Sequence, residues 1–437
     1  MRPHFIALPI AVVLCLCGVA EEAQSQAVQL RATQQMDARI PIAVPPLSAS
    51  ADSLHYSRLL ADVMANDLDY TGLFRIIKDF PAQFRGFSDD PMSIAFEQWR
   101  TTETENLVYA SANLANDELV IRYRLFDVLA SQQIFGKRLR TKQTWSRLLA
   151  HQFSDDIMRH LTGVPGISTS EICFSAGEVG KKEIFISDYD GAMVTQVTHH
   201  GSVSIKPKFS PDGMKIAYLS YKDRFPFLYI YDRRTGVSTP LSKNVGINHA
   251  PTWAPNGQSL ALCLSKDGNT EIYTKKTDGS GERRLTKNRA SDTSPTFSPD
   301  GRQIAFVSDR GGTPQIYTMA PNGQNAKRIS YQGGRAYDPS WSPDGNWITY
   351  SVDRSGDGIE IYLMNADGSN PRRLTDSPGI NDSPTWSPDS RHIAFGSTRT
   401  GTPRIYTVTL ENGVVRTIPG VAHLLAEGPN WGPRRKF

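Results

Sequence analysis

Six times along this chain a proline is followed by one residue, an aromatic and a turn sequence or its remnant. The copies run Pro207 to Gly213, Pro251 to Gly257, Pro295 to Gly301, Pro339 to Gly345, Pro384 to Ser390 and, in part, Pro429 to Pro433. Successive prolines stand 44, 44, 44, 45 and 45 residues apart. A fixed period of this size describes an array of similar units, each too small to bury its apolar face alone.

Each period divides into four strand-length pieces. In Ser-Pro-Asp-Gly the proline fixes φ at the second turn position and the glycine ends a type I turn. After the copy at Pro295 come Ile304-Ala-Phe306, Gln315-Ile-Tyr-Thr and Arg328-Ile-Ser, all strand length rather than helix length. The third piece recurs as Ile184-Phe185, Tyr229-Ile230, Ile272-Tyr273, Ile316-Tyr317, Ile361-Tyr362 and Ile405-Tyr406. Four strands every 44 or so residues, six times over, predict an all-β six-bladed β-propeller.

The phase of the repeat predicts how the ring closes. The first unit starts near Ser168 without a Pro-x-aromatic strand, and the chain ends just after the equivalent of that strand, Gly428 to Trp431. The C-terminal strand is therefore expected to complete the first blade, so that chain-end pairing leaves no free sheet edge. The aromatics at 209, 253, 297, 341, 386 and 431 are read first as packing between blades. The aspartates at 212, 300, 344 and 389 are read as turn formers.

Ahead of the propeller the repeat is absent. Residues 1 to 26 read as a signal peptide, with Arg2 before an apolar run from Phe5 to Ala20 and small residues around Ala20, Ser25 and Ala27 for cleavage. A lipoprotein reading of Cys15 or Cys17 lacks the small residue before the cysteine. No later stretch approaches the ~20 apolar residues of a membrane span. Residues 27 to 163 read as a small α+β domain of mixed strand and helix order and 168 to 437 as the propeller.

In the first domain, Arg39 to Leu47 reads as a strand and Asp52 to Leu68 as a helix capped by Asp52. The stretches GLFRII, ENLVYASANL, ELVIRYRLFDV and QQIFGKRLR read as strands, PMSIAFEQWR as a short helix, and Thr144 to Gly163 as an amphipathic helix. That last helix carries His151, Asp155, Asp156 and His160; the i, i+4 spacing of His151 and Asp155 suits a surface pair better than a metal site.

Composition narrows the class. With 39% hydrophobic and 21% charged residues the chain holds a core, and at a formal charge of +4 its basic residues are scattered rather than gathered into a stripe for nucleic acid. Beyond the leader only Cys173 and Cys263 remain, in repeats that are not neighbours, so buried thiols are expected rather than a disulfide. No Cys/His spacing suggests zinc, and no cofactor is called for.

The export signal, IPIAVPPL, LVIRYRLFDV, LLAHQFSDDIMRHLTGVPG and the six propeller units together resemble the TolB family, periplasmic propeller proteins of the Tol-Pal system. The helix AHQFSDDIMRHLTG joined directly to the first blade is the specific part of that resemblance. It implies a periplasmic, non-enzymatic binding protein, monomeric on its own. It also implies that the lipoprotein Pal docks over one mouth of the propeller and that an N-terminal segment contacts the C-terminal domain of TolA, keeping the outer membrane attached and helping it constrict at division.

For the Pal contact the expected ring lies where the innermost strands begin: Lys206, His249, Ala250, Asp292, Thr293, Tyr337, Asp338, Asn381, Asp382 and Glu427. Turn and strand-capping roles explain the Asp and Asn residues there equally well. For TolA the segment is Val28, Gln29, Leu30, Arg31, Ala32 and Thr33, whose alternation suits strand addition to a partner's sheet. Two enzymatic alternatives stand beside this. A propeller-capped serine hydrolase needs a Gly-x-Ser-x-Gly elbow, which does not occur here. A metal-dependent lactonase would use Asp292, Asp338, Asp382 and Glu427, whose differing offsets before the proline suit a mouth better than one coordination sphere.

Overall fold

The computed structural model describes residues 39–80, 90–354, 356 and 358–435. Contact clustering sets Met1–Ile40 apart from Pro41–Phe437, and everything below concerns the second unit together with the strand that leads into it.

Strands β1 (Ile40–Ala43), β2 (Ser48–Ala49), β3 (Phe74–Ile77), β4 (Asn106–Ala115), β5 (Glu118–Asp127) and β6 (Gln132–Lys142) form one sheet, ordered β3-β1-β4-β5-β6 with β2 beside β4. Helices α1 (Leu54–Tyr70) and α3 (Ser146–Thr162) contact each other and the sheet, and a short α2 (Phe96–Arg100) brings Trp99 into a cluster with Leu107, Tyr109 and Phe126. The cap of α1 differs from expectation. Asp52 lies in a 3-10 turn, Ser53 occupies the cap position, and its hydroxyl accepts from the backbone N–H of Leu114 at 2.9 Å instead of capping the helix. The hydroxyl is thus spent on the β4 edge.

The remaining chain builds six four-stranded antiparallel sheets. Blade 1 is Ser170–Ala176, Glu183–Asp188 and Thr195–Gln196, with Glu427–Arg434 as its innermost strand. Cys173 faces Asn430 and Ile172 faces Trp431 in that antiparallel pairing, so the chain ends meet in one sheet as the phase of the repeat predicts. Blades 2 to 6 start at the inner strands Ser204–Phe209, Asn248–Trp253, Asp292–Phe297, Arg335–Trp341 and Asn381–Trp386.

The repeated aromatics lock neighbours together. Trp253 Nε1 donates to the Lys208 carbonyl at 2.9 Å and Trp386 Nε1 to the Ser340 carbonyl at 3.0 Å, each on the preceding blade. The turn aspartates accept locally: Asp300 takes the Ser298 hydroxyl at 2.6 Å and the Arg302 N–H at 3.0 Å. The recurring tyrosine of the third strand carries a cation over its ring in five blades, from Lys222 above Tyr229 at 4.1 Å to Arg354 above Tyr362 at 5.3 Å. Cys173 and Cys263 are buried and free.

The first domain packs against the face that carries the Ser-Pro-Asp-Gly turns. Tyr70 Oη donates to Thr407 Oγ1 at 2.7 Å, Arg416 pairs with Asp69 at 3.3 Å, and Tyr189 Oη donates to Asp67 Oδ1 at 2.7 Å. Between them His151, fully buried, holds Asp67 at 2.8 Å through Nδ1 and lies 3.6 Å from Asp188 through Nε2. Burial opposes a charge on this imidazole, but Asp67 and Asp188 override it and raise the pKa to about 9. Asp155 is buried too, accepting from the N–H groups of Ser168 at 2.8 Å and Thr169 at 3.1 Å. His151 and Asp155 are therefore not a helix-surface pair: one pins the domain to blade 1 and the other caps the linker. No helix among the described residues is long and apolar enough to cross a membrane.

Candidate functional site: the open propeller mouth

The first domain meets the turn face at blades 1 and 6, and none of its contacts described above reaches the opposite face, where the inner strands begin. Every inner strand bulges at the residue before its proline. Lys206, Ala250, Ser294, Asp338, Ser383 and Gly428 have φ between 47° and 57°, and the register of each inner strand shifts there. A residue ahead of proline is sterically barred from the right-handed helical region. The left-handed bulge turns the five non-glycine side chains among them into the channel.

Lys206 reaches across the ring. Its Nζ donates to Ser383 Oγ at 3.0 Å and lies 3.6 Å from Asp338 Oδ2, while Ser294 Oγ donates to Asp338 Oδ1 at 3.3 Å. Asp338 raises the Lys206 pKa against the burial that lowers it. Burial pushes the Asp338 carboxyl up, yet Lys206, Lys208 and His249 hold it below the ordinary range. The two side chains keep 31% and 30% of their surface open to the channel, so the pair is screened and worth at most about 1 kcal/mol. Asp382 goes the other way, its pKa raised by burial and by Asp338 and Glu427. Glu427 itself pairs with Lys182.

Of the ten residues expected at the mouth, Lys206, His249, Ala250 and Asp338 line one channel cavity, and Asp382 and Glu427 line a second with Lys206. Thr293 and Tyr337 are half-buried one position earlier on their strands. Asp292 and Asn381 lie a further residue back and are fully buried. Asp292 pairs with Arg310 at 2.8 Å, and Asn381 donates through Nδ2 to Glu360 of the preceding blade at 3.2 Å. Asn381 ties its blade to the preceding one, and Asp292 braces its own blade at the mouth end. The segment Val28 to Thr33 lies outside the described residues.

Sequence reasoning missed the rim. On the loops at this end stand Val179, Tyr221, Phe225, Val245, Ile247 and Tyr331, all exposed, with Val245 at 89% and Phe225 at 62%. Ile380 and Leu425 add to them. Apolar side chains outside the strand pattern, in loops bounded by Gly, Asn and Asp, were the available signal.

The described acidic and histidine side chains contain one group with ligand atoms within 4.8 Å of one another: Asp67, His151 and Asp190. Arg147 pairs with Asp190 and Tyr189 donates to Asp67, so both carboxylates already face donors.

Comparison with known families decides between the propellers this geometry fits. The family described as TolB beta propeller domain matches residues 158–357 and 334–437, and that described as TolB amino-terminal domain matches 28–134. The chain belongs to the TolB family. "Tol-Pal system protein TolB" of Syntrophotalea carbinolica is 36% identical over 223 residues, 49% of each chain, and that of a Ruegeria species is 34% identical over 241 residues, 53% of this chain and 54% of the relative. The chain thus spans about half the length of these curated TolB relatives in the matches. A crystal structure of TolB from Acinetobacter baumannii shares the fold with TM-score 0.79 at 24% identity, over 90% of this chain and 97% of that one.

Proposed function

We propose that this member of the TolB family is a periplasmic docking protein without catalytic activity. It binds the soluble domain of a Pal lipoprotein over the open mouth and the C-terminal domain of TolA through Val28 to Thr33. Through these contacts it keeps the outer membrane attached and helps it constrict at division. The observation that carries the reading is the apolar rim around a polar, ion-paired channel mouth. Exposed apolar side chains gathered at one end of a channel mark a protein interface, and a polar centre gives it register.

The domain division at about residues 163 to 168 fits this reading, with α3 ending at Gly163 in the left-handed conformation and the first blade strand starting at Ser170. A lactonase reading gains nothing from the geometry: Asp292 faces Arg310, Asp338 faces Lys206 and Glu427 faces Lys182. Titration calorimetry of the protein from Ala27 onward with the soluble Pal domain of the same organism tests the proposal. Saturable binding, weakened at least tenfold by the double substitution Phe225→Ala and Val245→Asp, is expected. No binding by the folded wild type would refute it.

A further inference from the structure

One layer below the bulge ring lies the channel's throat. The residues just after the prolines of blades 2 to 5, Lys208, Thr252, Thr296 and Ser340, line with Asn430 the deeper part of the cavity that Lys206, His249 and Asp338 line above, about 120 Å³ in all. Lys208 makes no ion pair and no hydrogen bond through its ammonium among the described residues, in contrast to Lys206 above it. The hydroxyls of Thr252, Thr296 and Ser340 are likewise unengaged among the described residues. Asn430 is occupied, accepting the Phe209 N–H at 2.8 Å and donating to Thr385.

We propose that this throat is a binding site for a single carboxylate, held by the Lys208 ammonium and the hydroxyls of Thr252, Thr296 and Ser340. The charge balance sets the class. The cavity lining sets two lysines, Lys206 and Lys208, against one carboxylate, Asp338, which contacts Lys206, and a monoanion matches that surplus where a divalent phosphate would exceed it. The volume admits a group the size of acetate rather than a sugar or nucleotide. Burial, and then Lys206, push the Lys208 pKa down, and Asp338, which does not contact it, offsets them only in part. His249 on the same wall has its pKa lowered by the same two causes. An ammonium in a partly desolvated site gains from a charge-assisted hydrogen bond about twice what a neutral pair offers.

Two sources supply this chemistry: a free small carboxylate, or an Asp or Glu side chain of a protein seated on the mouth. The second source rests on the docking proposed above, and the first does not. The probe is sodium acetate, titrated into the purified chain at constant ionic strength against sodium chloride. Saturable heat is expected, with affinity falling at least tenfold in Lys208→Met, retained in Lys208→Arg and reduced in Thr296→Val; circular dichroism verifies that each variant is folded. Absence of saturable binding, or equal binding by folded Lys208→Met, would overturn the site.

A second arm adds the soluble Pal domain. If acetate competes with docking and Lys208→Met abolishes the competition, the carboxylate is the partner's. If acetate binds and docking is indifferent to it, the ligand is free. If Pal does not dock at all while acetate binds through Lys208, the docking proposal fails and the throat site stands.

Discussion

His151 shows how one residue can join two domains. It carries charge in a fully buried place because Asp67 and Asp188 flank it, and Asp188 in turn takes the guanidinium of Arg435 at 2.9 Å. Removing one member of such a set leaves the others charged and unpaired, a cost of about 3–5 kcal/mol. His151→Leu should therefore lower unfolding free energy by that order in urea titration near pH 6; a loss under about 1 kcal/mol would contradict the assignment. The pH dependence follows from the signs. The folded pKa of His151 is raised from 6.5 to about 9, so its contribution is complete below 6.5 and fades as pH rises through 9. Burial raises the Asp188 carboxyl, but His151, Arg435 and Arg147 outweigh it and hold it below its ordinary range, so its share is lost as pH falls through the folded value. The stability gap between wild type and His151→Leu should then be widest between about pH 5 and 6.5 and close on the alkaline side. In the sequence His151 looked like a surface residue because only its spacing to Asp155 was weighed. It shares a helix face with Leu148, Ser154, Asp155 and Met158, all buried, and an ionisable group on such a face needs a partner from elsewhere in the chain.

Among the elements, the inner strands carry both the closure and the mouth. Their bulges put five non-glycine residues at positive φ, and in blade 1 the same position is Gly428 at φ 57°, where an added Cβ would meet nothing nearer than the Lys206 side chain at 4.0 Å. Space is not limiting there. Gly428→Ala should cost only the left-handed backbone term, about 1–2 kcal/mol, readable as a shift in urea midpoint; a much larger loss would mean the closing strand is packed more tightly than the contacts indicate. Trp431→Ala tests the same closure harder. It empties a site in the cluster with Ile172, Phe174 and Ile405 and frees the indole N–H that donates to Ser170 Oγ at 2.8 Å, for a loss of about 3–5 kcal/mol. The blade count, the closing strand and the aromatic locks were legible because a 44-residue period fixes them. The bulge was not, since pairing register is invisible in one sequence. Without it Asp292 and Asn381 looked like neighbours of Lys206 and Asp338, when the pleat turns them inward between blades.

For the whole molecule the account assigns the two ends of the propeller different work. One end is gripped at blades 1 and 6 by the first domain through Tyr70, Asp69, Asp67 and His151, and the other carries the apolar rim. Deleting Ala27 to Met36 should abolish binding to the TolA C-terminal domain and leave Pal docking unchanged in calorimetry. Loss of both in a folded protein would contradict separate surfaces. The rim was hard to read from sequence because its residues sit singly in loops of different blades and gather only when the ring closes.

The most direct test of docking over the open mouth is hydrogen–deuterium exchange of the chain with and without the soluble Pal domain. The account predicts protection confined to the mouth loops at 221–226, 243–247 and 331–334. Protection instead at the turns 210–213 and 298–301, on the opposite face of the propeller, would contradict it.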